Sequence, residues 1–328
     1  LYRFSLPLLV LWLLCISPAF SNAPLRQIRT DNPPVIDGKL DDPAWKTAPS
    51  VSGFKTFIPY FGRDVKEQTV VYMLYDVENL YFAFDCYDPE PHKIKTSLAE
   101  RDKMRADDWI CINLDSFNDQ QALYCLYVNP NGIQGDSKFA AGTEDMSVDA
   151  VWYSAGARKD SGYTVEVRVP LKSIRYPDKN PTTMTVFFER YVSRSTEHSS
   201  YPHLNPEKGY AFLTQMIPMV YEDLKHYTLF ELLPAVTYSH RSSNSQGSLA
   251  TTEKRGDLSL TTKYGITSDL ILDATYNPDF SQIESDAGQV DVNLRSQLFF
   301  AEKRPFFLEG QEIFAMAASD NSQLDPLI

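Results

Sequence analysis

Cleavage of a glycosidic bond needs two carboxyl groups held about 5–10 Å apart. Glu166, in the run Tyr163–Val169, and Glu189, in Met184–Tyr191, lie on separate apolar runs and would serve only if their strands met. Acidic β-proteins bring carboxylates together by chance, so this pair is weak ground for an enzyme. The nucleophile elbow G-x-S-x-G, the zinc helix H-E-x-x-H and the P-loop are absent from the sequence. Histidines at 92, 198, 203, 226 and 240 show no metal-ligand spacing. No catalytic residue is assigned.

Binding a sugar asks for less than cleaving one. A flat aromatic face covers the C–H face of a pyranose, and carboxylates, amides and guanidinium groups take its hydroxyls. The chain holds 19 Tyr, 19 Phe and 4 Trp. Trp109 and Trp152 open apolar runs, where side chains reach loops, and either could be a sugar platform or a core residue. Arg101, Asp102, Arg105, Asp107 and Asp108 cluster just before Trp109 and offer both charges to hydroxyl groups. The same oxygens would suit Ca²⁺, although no D-x-D-x-D-G loop is present. A salt-bridged surface loop is the plain alternative. No cofactor is expected beyond that Ca²⁺ reading.

Charge removes another class of partner. Lys and Arg number 31 and Asp and Glu 43, a net charge of −12. A nucleic-acid groove needs a basic footprint, so nucleic acid is excluded as a partner.

The elements that must carry these residues are strands. Val70–Tyr75 and Leu80–Tyr87 are separated by a turn with Asp76, Glu78 and Asn79. Trp109–Asp115 and Ala122–Asn129 flank a turn over 116–120. Val151–Ala157 and Tyr163–Val169 flank Lys159-Asp160-Ser161-Gly162, and Met184–Tyr191 is a further strand. Short strands at regular spacing predict a sandwich of antiparallel sheets. Asp42-Pro43 predicts one short helix, with Asp42 as its N-cap. Leu171–Ile174 reads as a helical turn. Cys86, Cys111 and Cys125 form an odd set beyond the first 21 residues. Cys111 and Cys125 could face each other across their hairpin, or stay as buried thiols.

The ends read differently. Arg3, the apolar run 6–16 and Ala19-Phe20-Ser21 predict a signal peptide over 1–21. From about 220 the strands lengthen and alternate. Leu229–Tyr238, Asp257–Tyr264 and Leu270–Tyr276 enclose a polar loop at 239–252 and a tight turn at 265–268. This pattern fits membrane-spanning β-strands. Three or four strands fall short of the roughly eight of the smallest closed barrels, so the remainder of a barrel is expected beyond residue 328.

Two stretches carry a resemblance. Val35-Ile36-Asp37-Gly38-Lys39-Leu40-Asp41-Asp42-Pro43-Ala44-Trp45 is similar to the opening of carbohydrate-binding module family 9-like domains. Asp107–Asp115, Val128-Asn129-Pro130-Asn131-Gly132 and Gly162–Pro170 resemble the same family, over 34–218. Asn277–Asp286 and Phe299–Gly310 resemble the hallmark of a bacterial outer-membrane family, in which such a module precedes a β-barrel domain of unknown function. The resemblance implies an all-β chain: an antiparallel β-sandwich over 34–218, then an incomplete antiparallel β-barrel segment over 225–328. It implies an exported protein of the outer membrane, periplasm or cell surface that binds polysaccharide or oligosaccharide. Its family context is carbohydrate catabolism and glycoside hydrolases. The family's two sugar-sandwiching aromatics imply a site at the loop 195–201, with Tyr201 as one platform and Glu197 beside it. Arg101, Asp108, Trp109 and Trp152 complete the expected site. The alternative expectation is a periplasmic plug or docking domain of an outer-membrane barrel transporter or assembly protein. Trp45, in the short helix, is expected to anchor the core.

Overall fold

The computed structural model describes residues 24–140, 142–146, 148–228, 230–245, 248–267 and 270–277. The expected signal peptide and the hallmark stretches from 278 onward lie outside the described residues. In chain order the first strands are β1 Leu25–Arg26, β2 Ile28–Arg29, β3 Ser50–Val51, β4 Lys55–Ile58, β5 Thr69–Tyr75 and β6 Asn79–Tyr87. Then come β7 Trp109–Asp115, β8 Ala122–Val128, β9 Gln134–Ala140, β10 Thr143–Asp145, β11 Tyr153–Lys159 and β12 Gly162–Pro170. The last are β13 Thr182–Val192, β14 Glu197–Tyr201, β15 Ile217–Tyr221, β16 Phe230–Ser245, β17 Ser248–Gly265 and β18 Ile271–Tyr276. Helix α1 spans Pro43–Thr47. No described helix is long and apolar enough to cross a membrane.

Two sheets form the sandwich. The larger has nine strands in the order β1-β15-β13-β7-β8-β9-β10, with β14 on β13 and β4 on β14. The smaller runs β11-β12-β6-β5-β2, with β3 on β5. Pairing is antiparallel except for the two-residue edges β1–β15 and β2–β5. Alternation sorts the side chains. Ile110, Ile112, Val186 and Phe188 from the larger sheet meet Phe82, Phe84, Val165 and Val167 from the smaller in one buried core. The Phe188 ring stands edge-on to Phe82 and Phe84, with centroids 5.8 and 5.7 Å away. Such pairs add about 0.5–1.5 kcal/mol each beyond area burial.

The predicted hairpins form, and polar side chains close their turns. Asp115 accepts from the backbone N–H of Phe117, Asn118 and Gln120 between β7 and β8. Asp42 takes the predicted N-cap position, and of the two readings of Cys111 and Cys125 the buried thiols hold. Asp42 precedes α1 but makes no cap bond; its Oδ2 accepts from Val35 N–H at 3.0 Å and holds the preceding loop instead. Cys111 sits opposite Tyr127 and Cys125 opposite Asn113, so the two thiols are one rung out of line and both are free. Burial pushes the Cys125 thiol up to about 12, which makes it inert at neutral pH.

Strands β16, β17 and β18 form a separate three-stranded antiparallel sheet. Residues 239–245, expected in a polar loop, are instead paired with residues 248–251 and 253–255. The β16–β17 ladder continues past Arg241, through a register shift, to Ser245 opposite Ser248. Interstrand bonds there satisfy backbone groups that a loop would leave to water.

Candidate functional site

Three glycines shape the site. Gly132 and Gly38 have φ of +81° and +89°, and both press on β11 at Gly156. A Cβ on Gly156 would lie 2.5 Å from Pro130 O and 2.7 Å from Gly132 N. The loop Val35–Gly38 and the turn Asn129–Gly132 can therefore meet on one strand because none of the three carries a side chain. The loop is locked from below. Glu166 on β12 accepts from Asp37 N–H at 2.9 Å, Gly38 N–H at 2.7 Å and Trp45 Nε1–H at 2.6 Å. The turn is locked by Asn129, whose Oδ1 accepts from Asn131 and Ile133 N–H and whose Nδ2 donates to Asp107 Oδ2.

Between these anchors lies a cleft of about 890 Å³, lined among others by Val35, Arg101, Gln134, Trp152, Tyr153 and Arg168. Tyr153 is 43% exposed. Its cross-strand partner is Arg168, whose guanidinium carbon lies 4.1 Å from the Tyr153 ring centroid. That cation–π contact holds the ring in place. Trp152 forms the back wall as a member of the buried core, 4% exposed, so its ring offers no stacking face. Arg101 is fixed by Asp136 at 2.8 Å, Gln134 Oε1 at 3.0 Å and Ala150 O at 2.7 Å. Burial raises the Asp136 carboxyl, opposed by its bonds from Ala150 N–H and Arg101. Trp152 Nε1 and Arg168 Nε are buried donors without an acceptor among the described residues. The cleft thus combines an exposed aromatic face with rigid guanidinium and amide groups.

The six expected site residues separate into two sets. Arg101 and Trp152 line the cleft. Asp108, Trp109, Glu197 and Tyr201 gather around β7, β13 and β14 and do not. Of its two readings, Trp109 takes the core one. It is 7% exposed, stacked on Tyr191 at 5.1 Å and met edge-on by Tyr127 and His198. Tyr201 was expected on a loop, but a tight turn at Thr196 (φ +55°) returns the chain as β14 and makes Tyr201 its last residue. It pairs with Phe188, and its half-buried ring packs toward the core beside Phe54. Glu197 opens β14 opposite Val192. Asp108 is buried, and its Oδ1 accepts from Ser193 N–H and Oγ–H at 3.0 and 2.7 Å.

The carboxylates read for catalysis or metal are otherwise engaged. Glu166 lies on the outer face of the smaller sheet under Trp45. Glu189 lies on the outer face of the larger one, 2.6 Å from His198 Nδ1. Packed sheets are about 10 Å apart, so carboxyls on the two outer faces exceed hydrolase spacing. Asp107 Oδ2 accepts from Ser97 N–H, Ser97 Oγ–H and Asn129 Nδ2–H. Arg105 donates to Glu144 at 2.9 Å. Among the described residues no group of three acidic, His or Cys side chains is arranged to hold a metal.

Tyr153, Gln134 and Arg168 were not anticipated. The Tyr153–Arg168 pair was legible in principle, because the turn Lys159–Gly162 fixes the register that sets residue 153 opposite 168.

The profile of the carbohydrate family 9 binding domain-like family matches residues 36–195. The profile of a domain of unknown function, DUF5916, matches residues 228–318. A family 9 carbohydrate-binding module from Caldicellulosiruptor kristjanssonii, solved with cellotriose, is 18% identical; the alignment covers 61% of this chain and 95% of that one, with a TM-score of 0.44. The same module solved with glucose aligns at 18% identity over 62% and 98% of the two chains, also with a TM-score of 0.44. A protein of Bacteroides uniformis is 10% identical over 60% and 98%, with a TM-score of 0.48. None of the curated proteins compared matches the chain.

Proposed function

We propose that the chain is a glycan-binding protein of a bacterial outer envelope, with the sandwich holding an oligosaccharide or polysaccharide segment in the Tyr153 cleft. The observation that carries this reading is the exposed Tyr153 ring braced by Arg168 beside Arg101 and Gln134, in a module of the carbohydrate family 9 binding domain-like class. The ring offers a stacking face, and the guanidinium and amide groups offer donors to hydroxyls. The domain plan that goes with it is a signal peptide over 1–21, the sandwich over 34–218 and barrel strands over 225–328. Capture of polysaccharide for breakdown by a glycoside hydrolase is the role this plan serves. The test is calorimetric titration of the full chain in detergent with plant, bacterial and marine oligosaccharides, with and without Ca²⁺. Binding that Tyr153→Ala abolishes while the fold is kept supports the reading. A folded chain that binds nothing on the panel overturns it.

One observation favours a second reading, a docking domain for a barrel. A further cleft of about 530 Å³ lies between sandwich residues, including Tyr124, Lys172 and Tyr176, and β16–β17 residues, including Phe230 and Glu231. Tyr176 Oη–H donates to Lys225 O at 2.6 Å, in the segment leading into β16. Substitutions along this junction that alter barrel function and spare glycan binding would single out the docking role.

A further inference from the structure

The three-stranded sheet has two unlike faces. The register puts Phe230, Tyr264 and Leu272 on one level, and Leu260 lies opposite both Pro234 and Tyr276. Even-numbered positions thus share one face across all three strands. Leu232, Val236, Leu258 and Leu272 stand on it, and Val236 is 79% exposed. The odd-numbered face carries Asp257, Ser259, Thr261, Asp273 and Thr275, with Thr261 and Thr275 hydroxyls hydrogen-bonded at 3.1 Å. Along β18 exposure alternates, with the even face open and the odd face half-covered. The even face is therefore the more open of the two along β18.

The apolar stripe has a length and two marked ends. From Phe230 to Tyr238 the strand advances about 27 Å at the usual rise. A tilt of 35–45° turns this into about 20 Å of height, close to the roughly 25 Å apolar band of an outer-membrane barrel. Phe230 and Tyr264 meet edge-to-face at one end, with centroids 6.3 Å apart, and Tyr238 marks the other. Aromatic residues gird such bands at both interfaces.

The ends also differ in what lies past them. At the Phe230 end the chain makes the tight turn between β17 and β18, closed by Ile266 N–H donating to Leu270 O at 2.9 Å. The sandwich joins at this same end, because β15 stops at Tyr221 and β16 begins at Phe230. At the Tyr238 end the β16–β17 hairpin runs on through a polar sequence to Ser245 and Ser248. Outer-membrane barrels keep short turns on the periplasmic side and send long connections outward. We infer that the even-numbered face of β16–β18 contacts lipid acyl chains, and that the sandwich hangs on the periplasmic side while the polar hairpin reaches the cell exterior. The inference rests on the outer-membrane reading above and adds the side and the lipid-facing residues.

The experiment uses the full-length protein in a Gram-negative host, with single cysteines at Leu98→Cys and Lys254→Cys. Leu98 is 89% exposed on the sandwich. Lys254 lies opposite His240, past Tyr238. The native Cys86, Cys111 and Cys125 are buried, and the unsubstituted protein gives the background. A membrane-impermeant maleimide is expected to label Lys254→Cys on intact cells and Leu98→Cys only after the outer membrane is permeabilised. The reverse pattern, or labelling of both on intact cells, overturns the orientation. Carbonate washing tests the membrane reading separately: a protein released by it is not inserted, and its apolar face is covered by protein instead of lipid. Val236→Arg should cut the carbonate-resistant fraction several-fold, whereas Ser259→Arg, on the polar face, should leave it unchanged. Equal effects of the two substitutions overturn the facial assignment.

Discussion

Trp45 Nε1–H donates to Glu166 Oε1 at 2.6 Å, joining positions 121 residues apart. The other oxygen of Glu166 holds the Asp37 and Gly38 amides, so one carboxylate ties helix α1 and the Val35–Gly38 loop to β12. Burial raises this carboxyl, opposed by these three donors. Glu166→Ala would leave three donors without an acceptor and should cost about 3 kcal/mol or more of sandwich stability. Glu166→Gln, which keeps one acceptor oxygen, should cost less. Urea titrations followed by tryptophan fluorescence check this. Equal stability of Glu166→Ala and the parent protein would refute the lock.

Gly156→Ala tests the three-glycine junction. The added Cβ meets two backbone atoms of one turn, Pro130 O and Gly132 N, and neither can move without opening the turn that borders the cleft. A loss of about 2 kcal/mol or more is expected. Gly53→Ala is the informative contrast, since nothing lies within 4 Å of its added Cβ and its strain comes from φ alone, at +83°. If Gly156→Ala costs no more than Gly53→Ala, the close approach does not determine the cleft.

Hairpin register was readable from the sequence, because alternation and the turn at Lys159–Gly162 leave β11 and β12 one pairing. The motif Val35–Trp45 was readable as a pattern, but its partner Glu166 was not, since a long-range hydrogen bond leaves no local periodicity. Trp109 and Trp152 looked alike, each an aromatic at the start of a strand run. One is enclosed by rings from β8, β13 and β14, and the other backs a cleft, and that difference depends on neighbours distant in sequence. Tyr201 was misplaced because Thr196 adopts a left-handed conformation that side chain type does not announce.

Trp109→Ala and Tyr153→Ala should separate stability from binding. Trp109 is enclosed on the outer face of the larger sheet, so its truncation should cost roughly 3–5 kcal/mol of stability. The surviving folded molecules should keep glycan affinity. Tyr153 is exposed, so truncation should leave stability within about 0.5 kcal/mol and weaken glycan binding at least about tenfold, or 1.4 kcal/mol. Thermal melts and calorimetry on the same preparations decide. Lost affinity in folded Trp109→Ala, with Tyr153→Ala unaffected, would move the site to the β7–β13–β14 end.

Asp108 sets a pH dependence. It is 0% exposed, its Oδ1 accepts two bonds from Ser193, and its Oδ2 has no donor among the described residues. Burial pushes its carboxyl above the ordinary 3.8, opposed by the Ser193 bonds and by the charges of Arg190 and Arg194. The folded state then holds the proton more tightly than the unfolded chain. Its contribution to stability is full below 3.8 and is lost as pH rises through the folded value. Asp108→Asn keeps an acceptor for Ser193 and stays neutral throughout. Urea midpoints from pH 3 upward (about 3 to 7, spanning the usual carboxylate range) should fall less steeply for Asp108→Asn than for the parent. Asp115 and Asp136 are also raised by burial and slope the same way, so the difference between the two curves isolates Asp108. The variant should be at least as stable as the parent at neutral pH. Parallel curves, with the variant weaker at neutral pH, would instead mean that Asp108 is an ionised partner of Arg190 and Arg194.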